Sequence, residues 1–223
     1  MKPKRIYLVR HGQSEGNVDR AVRALKPDYA LKLTETGIRQ ADAVGRELLQ
    51  QIGLQPVQFY ISPFWRTRQT YQQIVKFFPL SNFYEDPRLR EQEWGHFRDE
   101  QRDVPLEKER DSYGHFYYRL PDGESCADVY DRVSDMIQTM WRDFAKPEYP
   151  SEVIVVNHGM TMRVFLMRWL HWSVEEFEII ANPGNCEYHL LELDERTDRY
   201  KLVTKPRRYE SYNHPYQFDW KTA

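Results

Sequence analysis

The sequence predicts an α/β fold, a three-layer α/β/α sandwich with a mainly parallel sheet and one antiparallel edge strand. The first observation is that short apolar runs of strand type alternate with segments of helical periodicity. The second is the run VIVV at 153–156, a continuous β-branched stretch typical of a strand buried on both faces of a parallel sheet. The third is a pair of late apolar runs separated by 194–199, a hairpin pattern that would add antiparallel pairing.

The bulk composition is that of a globular protein. The chain has 223 residues, 40% of them hydrophobic and 30% charged, so one domain with a sizeable core is expected over 1–223. The formal net charge of −2 gives no overall basis for binding nucleic acid, and no uncharged apolar stretch is long enough to span a membrane. The two cysteines lack metal-ligand spacing. We therefore expect a cytoplasmic protein with reduced thiols that binds neither nucleic acid nor membranes.

Six strands are predicted, each from a short run that is apolar or alternates between apolar and polar residues. They cover 4–9, 57–61, 82–89, 153–156, 186–193 and 201–204.

Four helices are predicted from apolar residues that recur every three or four positions. Thr34 can cap the first, which Gly53 ends. The second covers 66–78. Ser125 begins a capping-box sequence that opens a long third helix. The segment 160–170 is apolar nearly all round, so the fourth helix is expected to be largely buried.

Two segments do not follow the alternation of strands and helices. The first, at about 98–122, is highly charged and then aromatic, and we interpret it as a helical insertion over the active site. Its aromatic run at 116–118 could line the mouth of a substrate site or pack against the body of the protein. The second is a polar and aromatic C-terminal tail at about 207–223, for which no regular structure is predicted.

Phosphate-compatible residues follow three of the predicted strands. In an open α/β sheet, ligands bind outside the carboxyl ends of the strands, so residues at these positions should meet at one edge. Each such residue alone is more often an ordinary turn or surface residue. Their occurrence together, after three different strands, is what favours a functional site. The residues are Arg10, His11, Gly12 and Asn17 after the first strand, Ser62 and Arg66 after the second, and Asn157, His158 and Gly159 after the run VIVV.

These residue types suit the chemistry of phosphoryl transfer. Guanidinium groups bind phosphate oxygens in pairs, and helix N-termini offer free N–H donors to anions. A neutral imidazole nitrogen is a competent nucleophile. Glycines after both histidines would let the backbone approach a phosphate closely. The sequence therefore predicts an anion site with a nucleophilic histidine, His11, at its centre.

Such a reaction also needs an acid, because the leaving alkoxide must receive a proton. The run 82–89 is followed by EQEWG, which places Glu91 and Glu93 near another strand end. If strand alternation continues past Leu89, the two carboxylates share one face, so their spacing does not separate them. We select Glu91 as the acid.

The chain resembles the histidine phosphatase superfamily, whose fold is shared by cofactor-dependent phosphoglycerate mutases and many phosphatases. Six motifs of the family occur in order between about residues 5 and 193, and one of them, LxExxxG, favours Glu91 as the acid. They are RHG at 10–12 with Glu15 and Asn17 after it, LTxxGxxQA at 33–41, SxxxRTxQT at 62–70, LxExxxG at 89–95, PxGES at 121–125 and NHG at 157–159.

The resemblance implies a phosphoglycerate mutase-like fold and a two-step mechanism. His11 would attack the phosphoryl group and form a phosphohistidine, while Arg10, Arg66 and His158 stabilise charge on the transferring oxygens. Glu91 would protonate the leaving oxygen and then activate a water molecule.

The resemblance also implies the substrate contacts and the absence of a cofactor. Asn17 and the backbone at Gly12, Gly159 and Met160 would orient the phosphoryl group. The family needs no metal ion, and the chain shows no separate carboxylate cluster that demands one. The expected partner is a small-molecule phosphomonoester.

Hydrolysis is favoured over two alternatives. Mutases of the family resemble one another in a basic insertion, whereas 98–120 here mixes acidic and basic residues. The stretches GHFYYRLPDGES and NPGNCEYHLLEL are instead similar to plant and fungal phosphoglycerate mutase-like proteins, of which some are broad-specificity phosphatases. The alternatives are a cofactor-dependent phosphoglycerate mutase and a non-catalytic module that binds a phosphorylated ligand.

Overall fold

The computed structural model describes residues 2–95 and 100–209. In this part of the chain, six strands form one sheet in the order β3-β2-β4-β1-β5-β6. The strands are β1 (Arg5–Arg10), β2 (Val57–Ile61), β3 (Ser81–Glu85), β4 (Glu152–Asn157), β5 (Tyr188–Asp194) and β6 (Arg199–Leu202).

Helices connect the strands and cover both faces of the sheet. None of those in the described ranges is long and apolar enough to cross a membrane. They are α1 (Glu15–Val18), α2 (Val22–Leu25), α3 (Glu35–Ile52), α4 (Trp65–Ile74), α5 (Glu100–Tyr113), α6 (Cys126–Phe144), α7 (Gly159–Leu170) and α8 (Val174–Glu178), with short 3₁₀ turns at Asp28–Ala30, Val75–Phe77 and Pro87–Leu89.

The sheet is mostly parallel, as predicted. Strands β3, β2, β4 and β1 pair in parallel, and antiparallel pairing is confined to one edge. There β5 pairs with β1 on one side and with β6 on the other, so the predicted hairpin is present. The strand that runs against the rest is therefore β5, while β6 forms the outer edge.

Alternate residues of the central strands build two separate cores. Ile6 and Leu8 of β1 pack with α6 and α7, whereas Tyr7 and Val9 pack with α3 and α4 on the other face. Strand β4 is buried along its whole length. Burying one such aliphatic side chain stabilises the fold by about 1.5–3 kcal/mol. These two cores give the predicted three-layer α/β/α sandwich.

The predicted helix ends are observed. The Thr34 side chain accepts a hydrogen bond from the backbone N–H of Gly37, and Gly53 ends α3 with a φ of 69°, a left-handed conformation that glycine adopts without strain. The Ser125 capping box opens α6. The second helix is shorter than the predicted 66–78, since the chain tightens into a 3₁₀ turn after Ile74.

The third strand is the main correction. It ends at Glu85 rather than at the predicted Leu89. The Asp86 side chain accepts a hydrogen bond from the N–H of Arg88, and Pro87 begins a 3₁₀ turn, so the extended conformation stops there. The strand alternation that would have put Glu91 and Glu93 on one face does not exist.

The last two strands also differ from their predicted bounds. The strand predicted over 186–193 begins at Tyr188, because Cys186 has a φ of 57° and the N–H of Glu187 closes a turn onto Gly184. The strand predicted over 201–204 is shifted to Arg199–Leu202. Beyond its end, the Thr204 hydroxyl accepts a hydrogen bond from the backbone of Leu190.

The segment predicted as an insertion contains α5, followed by an irregular aromatic stretch. Phe116 is buried in the core beside Phe177, with ring centroids 5.4 Å apart, whereas Tyr117 is exposed. Packing against the body is therefore the observed role of Phe116. Residues 98–99 of the predicted insertion and 210–223 of the predicted tail lie outside the described residues. The organisation as one domain stays a prediction.

Candidate active site

Three strand ends meet at one edge of the sheet. Arg10 of β1 is level with Asn157 of β4, and Ile61 of β2 is level with Val156. The chain segments that follow these strands therefore emerge side by side. They bring the rings of His11 and His158 together, with centroids 5.2 Å apart.

His11 is buried and has one nitrogen available for attack. Its Nδ1 lies 2.7 Å from the carbonyl oxygen of Gly12, which can only accept, so Nδ1 carries the proton. Its Nε2 accepts a hydrogen bond from Nε of Arg66 at 3.2 Å. Burial, and then the positive charges of Arg66 and Arg10, hold the pKa of His11 well below its ordinary value. The imidazole is thus neutral near pH 7 and keeps a lone pair on Nε2.

The backbone around His11 is fixed by close packing. The N–H of Gly12 donates to the Thr70 hydroxyl at 3.0 Å. A Cβ atom on Gly12 would lie 2.5 Å from the carbonyl oxygen of Gly37, so only glycine fits between the nucleophile and the start of α3. Gly12 contributes its carbonyl to the orientation of His11. A contact between Gly12 and substrate stays a prediction.

His158 lies beside His11 and is completely buried. Its Nε2 is 2.8 Å from the Ser62 hydroxyl, and among the described residues its Nδ1 has no hydrogen-bond partner. Burial, followed by the charge of Arg66, lowers the pKa of His158 well below the ordinary value. If the Ser62 hydroxyl donates to Nε2, the proton of the neutral ring is on Nδ1, which is then free to donate to a ligand.

The two predicted arginines differ in how their donors are used. Arg10 donates through Nη1 to the carbonyl of Pro183, and within the described chain its buried Nε has no partner. A Cβ atom on Gly159 would lie 3.5 Å from that Nε, so the glycine leaves space beside it. Arg66 is fully engaged, because both of its Nη atoms bond to the carboxylate of Asp28 at 3.2 and 2.9 Å.

Glu91 is held at the N-terminus of α7. One carboxylate oxygen accepts the N–H of Thr161 at 3.1 Å, and the other accepts the N–H of Met160 at 3.3 Å. Glu91 is half-buried, whereas Glu93 is exposed. The structure thus separates two carboxylates that the sequence could not separate by spacing.

A cavity of about 850 Å³ opens over His11. Asn17 lines the cavity, and its amide oxygen accepts hydrogen bonds from Ser14 and Asn185. A contact between Asn17 and substrate stays a prediction. Sequence reasoning missed several lining residues, namely Arg23, Asp28, Phe64, Trp94 and Asn182.

An ion pair joins two segments that form the wall of this cavity. Arg20, just before α2, lies 3.0 Å from Glu107 of α5, and both line the cavity. The predicted insertion therefore contributes at least one side chain to the cavity wall.

Some of the missed residues had a signal in the sequence. Because a strand antiparallel to β1 must begin where β1 ends, residues just before β5 were bound to lie beside Arg10. Pro183 is one of them. Asp28 had no such signal, since its contact with Arg66 depends on the path of the segment between α2 and α3.

Within the described ranges, no three His, Cys, Asp or Glu side chains are grouped so that they could hold a metal ion.

Two known proteins match most of the chain in sequence. Phosphoglycerate mutase-like protein AT74 of Arabidopsis thaliana is 43% identical over 211 residues, covering 88% of this chain and 67% of that protein. Broad-range acid phosphatase DET1 of Saccharomyces cerevisiae is 30% identical over 298 residues, covering 91% of this chain and 89% of that protein.

Solved structures share the fold. A mycobacterial glucosyl-3-phosphoglycerate phosphatase, determined as a complex with VO3, superposes with a TM-score of 0.71 at 23% identity, covering 89% of this chain and 96% of that one. Bacillus stearothermophilus YhfR gives a TM-score of 0.71 at 22% identity, covering 90% and 96%.

The family model of the histidine phosphatase superfamily (branch 1) matches residues 6–205, which is most of the chain. The matched range contains both histidines, both arginines and Glu91 described above. The chain is therefore an enzyme of the histidine phosphatase superfamily, branch 1.

Proposed function

We propose that the protein is a metal-independent phosphomonoester hydrolase that works through a phosphohistidine on His11, with Glu91 as general acid and base. The observation that carries this proposal is the state of His11. Its ring is buried and neutral, its Nδ1 proton is held by the Gly12 carbonyl, and its Nε2 accepts a hydrogen bond from Arg66 in a cavity that Arg10 and Arg66 line.

In the first step, Nε2 of His11 attacks phosphorus and the bond from phosphorus to the leaving oxygen breaks. Glu91 gives its proton to that oxygen, so the product leaves as a neutral alcohol and Glu91 becomes a carboxylate. The Gly12 carbonyl keeps the Nδ1 proton in place while positive charge develops on the ring.

In the second step, the Glu91 carboxylate takes a proton from water as the water oxygen attacks phosphorus. The bond from phosphorus to Nε2 breaks, the electron pair returns to His11, and inorganic phosphate leaves. Glu91 is protonated again and the cycle is complete.

Charge on the transferring oxygens is met by donors that have no protein partner in the described chain. These are Nε of Arg10 and Nδ1 of His158. Arg66 adds its Nε–H, which donates to His11 before substrate binds and turns to a phosphoryl oxygen once Nε2 is bonded to phosphorus.

The substrate class is a small phosphorylated metabolite. The cavity is large enough for one, and the name of the yeast relative, an acid phosphatase, supports hydrolysis. The name of the Arabidopsis relative keeps the phosphoglycerate mutase as the alternative. A cytoplasmic location remains part of the proposal.

Phosphate release from p-nitrophenyl phosphate and from a panel of sugar and glycerate phosphates, measured in EDTA, tests the proposal. We expect release by the wild type and a loss of at least about a thousandfold in His11→Asn. The exposed His171 supplies the matched control, His171→Asn. Rapid acid-free quenching with radiolabelled substrate should trap a label that is stable in alkali and lost in acid.

Other results would reject the proposal. Interconversion of phosphoglycerates without net phosphate release would identify a mutase. Turnover that EDTA abolishes would refute metal independence. Phosphate binding without any turnover would identify a binding module.

A further inference from the structure

Among the described residues, six cations line the cavity over His11, and they fall into two groups. Four have a carboxylate partner within ion-pair distance, and these pairs are Arg20–Glu107, Lys26–Glu15, Arg66–Asp28 and Arg90–Glu124. The other two, Arg10 and Arg23, have no carboxylate partner among the described residues. Arg10 is already assigned to the transferring phosphoryl group. Arg23 has no role in the mechanism above.

Arg23 is held in a defined position. Its Nη2 donates to the carbonyl of Gly16 at 3.2 Å, and among the described residues its buried Nε has no partner. A Cβ atom on Gly16 would lie 3.2 Å from that Nε and 2.8 Å from Cδ1 of Leu31. The guanidinium therefore occupies a slot that exists because residue 16 has no side chain. A buried donor without a partner is costly unless a ligand satisfies it.

Arg23 is anchored on α1 rather than on the nucleophile. Its Nη2 bonds to the carbonyl of Gly16, whereas Nε of Arg66 bonds to Nε2 of His11. In the mechanism proposed above, the three oxygens of the transferring phosphoryl group bind Arg10, Arg66 and His158. A ligand group that reaches Arg23 is therefore a different part of the substrate.

We propose that Arg23 is a specificity-determining residue that binds a second anionic group of the substrate. The substrate is then a phosphomonoester with a carboxylate or a second phosphate in addition to the phosphate placed on His11. Arg23 lines the cavity, and its Nη donors that do not bond to Gly16 can reach such an oxyanion there. This inference rests on the proposed function, because it takes His11 as the place of the first phosphate.

Competitive inhibition of p-nitrophenyl phosphate hydrolysis tests the assignment with two matched pairs of ligands. 3-Phosphoglycerate is compared with glycerol 3-phosphate, and fructose 1,6-bisphosphate with fructose 6-phosphate. Within each pair only the first ligand carries a second anion. This second anion lies close to the phosphate in 3-phosphoglycerate and farther from it in fructose 1,6-bisphosphate. We expect the wild type to prefer the ligand with two anions in at least one pair.

The variants are Arg23→Gln, Arg23→Lys and the control Arg46→Gln, which removes the same charge from an exposed residue of α3 that is not part of the cavity lining. Arg23→Gln should reduce the preference for the second anion by about tenfold or more, as expected for loss of a charge-assisted hydrogen bond. Arg23→Lys should restore part of it, and Arg46→Gln should keep it.

Three results would overturn the assignment. They are no preference in the wild type, equal weakening of both members of a pair in Arg23→Gln, and equal behaviour of Arg23→Gln and Arg46→Gln. If p-nitrophenyl phosphate is not hydrolysed at all, the proposed function fails. Titration calorimetry with the same four ligands then tests Arg23 independently, with the same outcomes.

Discussion

The Nε–H of Arg66 lies 3.2 Å from Nε2 of His11, so the lone pair of the nucleophile is held by a guanidinium before any substrate arrives. The same guanidinium holds the Asp28 carboxylate through its two Nη atoms. Arg66 therefore joins an acidic residue of the cavity wall to the reacting nitrogen. Its donors must be redistributed when a phosphoryl group binds.

The geometry of Arg66 predicts that lysine cannot replace it. Lysine keeps the charge but lacks the Nε–H and the planar fork. Arg66→Lys should lower kcat by about a hundredfold, the size seen when one donor to a developing anion is lost. Steady-state kinetics with p-nitrophenyl phosphate would measure this. The control is Arg68→Lys on the same helix, whose exposed pair with Glu85 lies outside the cavity lining. Similar kcat values for the two variants would contradict the role given to Arg66.

Asp28 competes with phosphate for Arg66. Asp28→Asn removes a negative charge from the cavity wall and weakens the hold on the Arg66 side chain, although Nη1 keeps its bond to the backbone carbonyl of residue 28, so inorganic phosphate should inhibit more strongly. The pair is partly exposed, so the expected gain is modest, about two- to fivefold in the inhibition constant. The control is Asp42→Asn, which breaks an exposed pair with Arg46 on α3. Weaker inhibition in Asp28→Asn would show that Asp28 serves mainly to orient Arg66.

The contacts of Glu91 predict which carboxylate acts as the acid. Glu91→Gln should slow alkyl phosphates by about a hundred- to ten-thousandfold, and p-nitrophenyl phosphate much less, because the aryl leaving group needs no proton. Glu93→Gln should change both substrates little, since Glu93 is exposed. The ratio of kcat/KM for alkyl and aryl phosphates distinguishes the variants. A selective defect in Glu93→Gln alone would reverse the assignment.

The buried histidines predict how stability changes with pH. Burial holds the pKa of His11 and His158 below the ordinary value, so between the folded and unfolded pKa values the unfolded chain binds more protons. The free energy of unfolding should therefore fall as pH drops below about 6.5, by up to about 1.4 kcal/mol per pH unit for each histidine. Urea unfolding at pH 7.5, 6.5 and 5.5 would measure this slope.

His11→Asn should reduce that slope, because it removes one buried group that resists protonation. The exposed His171 again supplies the control, and His171→Asn should leave the slope unchanged. A slope in His11→Asn equal to that of the wild type would contradict the assignment of the low pKa to His11.

The convergence of the site was predictable because phosphate-compatible residues follow three of the predicted strands, and ligands in such sheets bind outside the carboxyl ends of the strands. A continuous β-branched run such as that in β4 is typical of a strand buried on both faces. The end of β3 was not predictable from alternation, because Asp86 and Pro87 stop the strand through local hydrogen bonding.

The partners of the cavity residues depended on distant parts of the chain. Asp28 reaches Arg66 across 38 positions, and Arg10 reaches Pro183 across 173. Contacts between residues so far apart in the chain leave no periodic pattern in the sequence. The position of the Arg23 side chain was unpredictable for another reason, because it depends on the absence of a side chain at Gly16.

The ion pair between Arg20 and Glu107 joins two segments that belong to no strand of the sheet. The groups that carry out the reaction follow the strands, whereas these two segments form part of the cavity wall. Substrate range can therefore change, in evolution or by engineering, through substitutions in these two segments of the cavity wall, while the residues that carry out the reaction stay the same. A mutant library restricted to these wall segments would search for new substrates without changing the nucleophile.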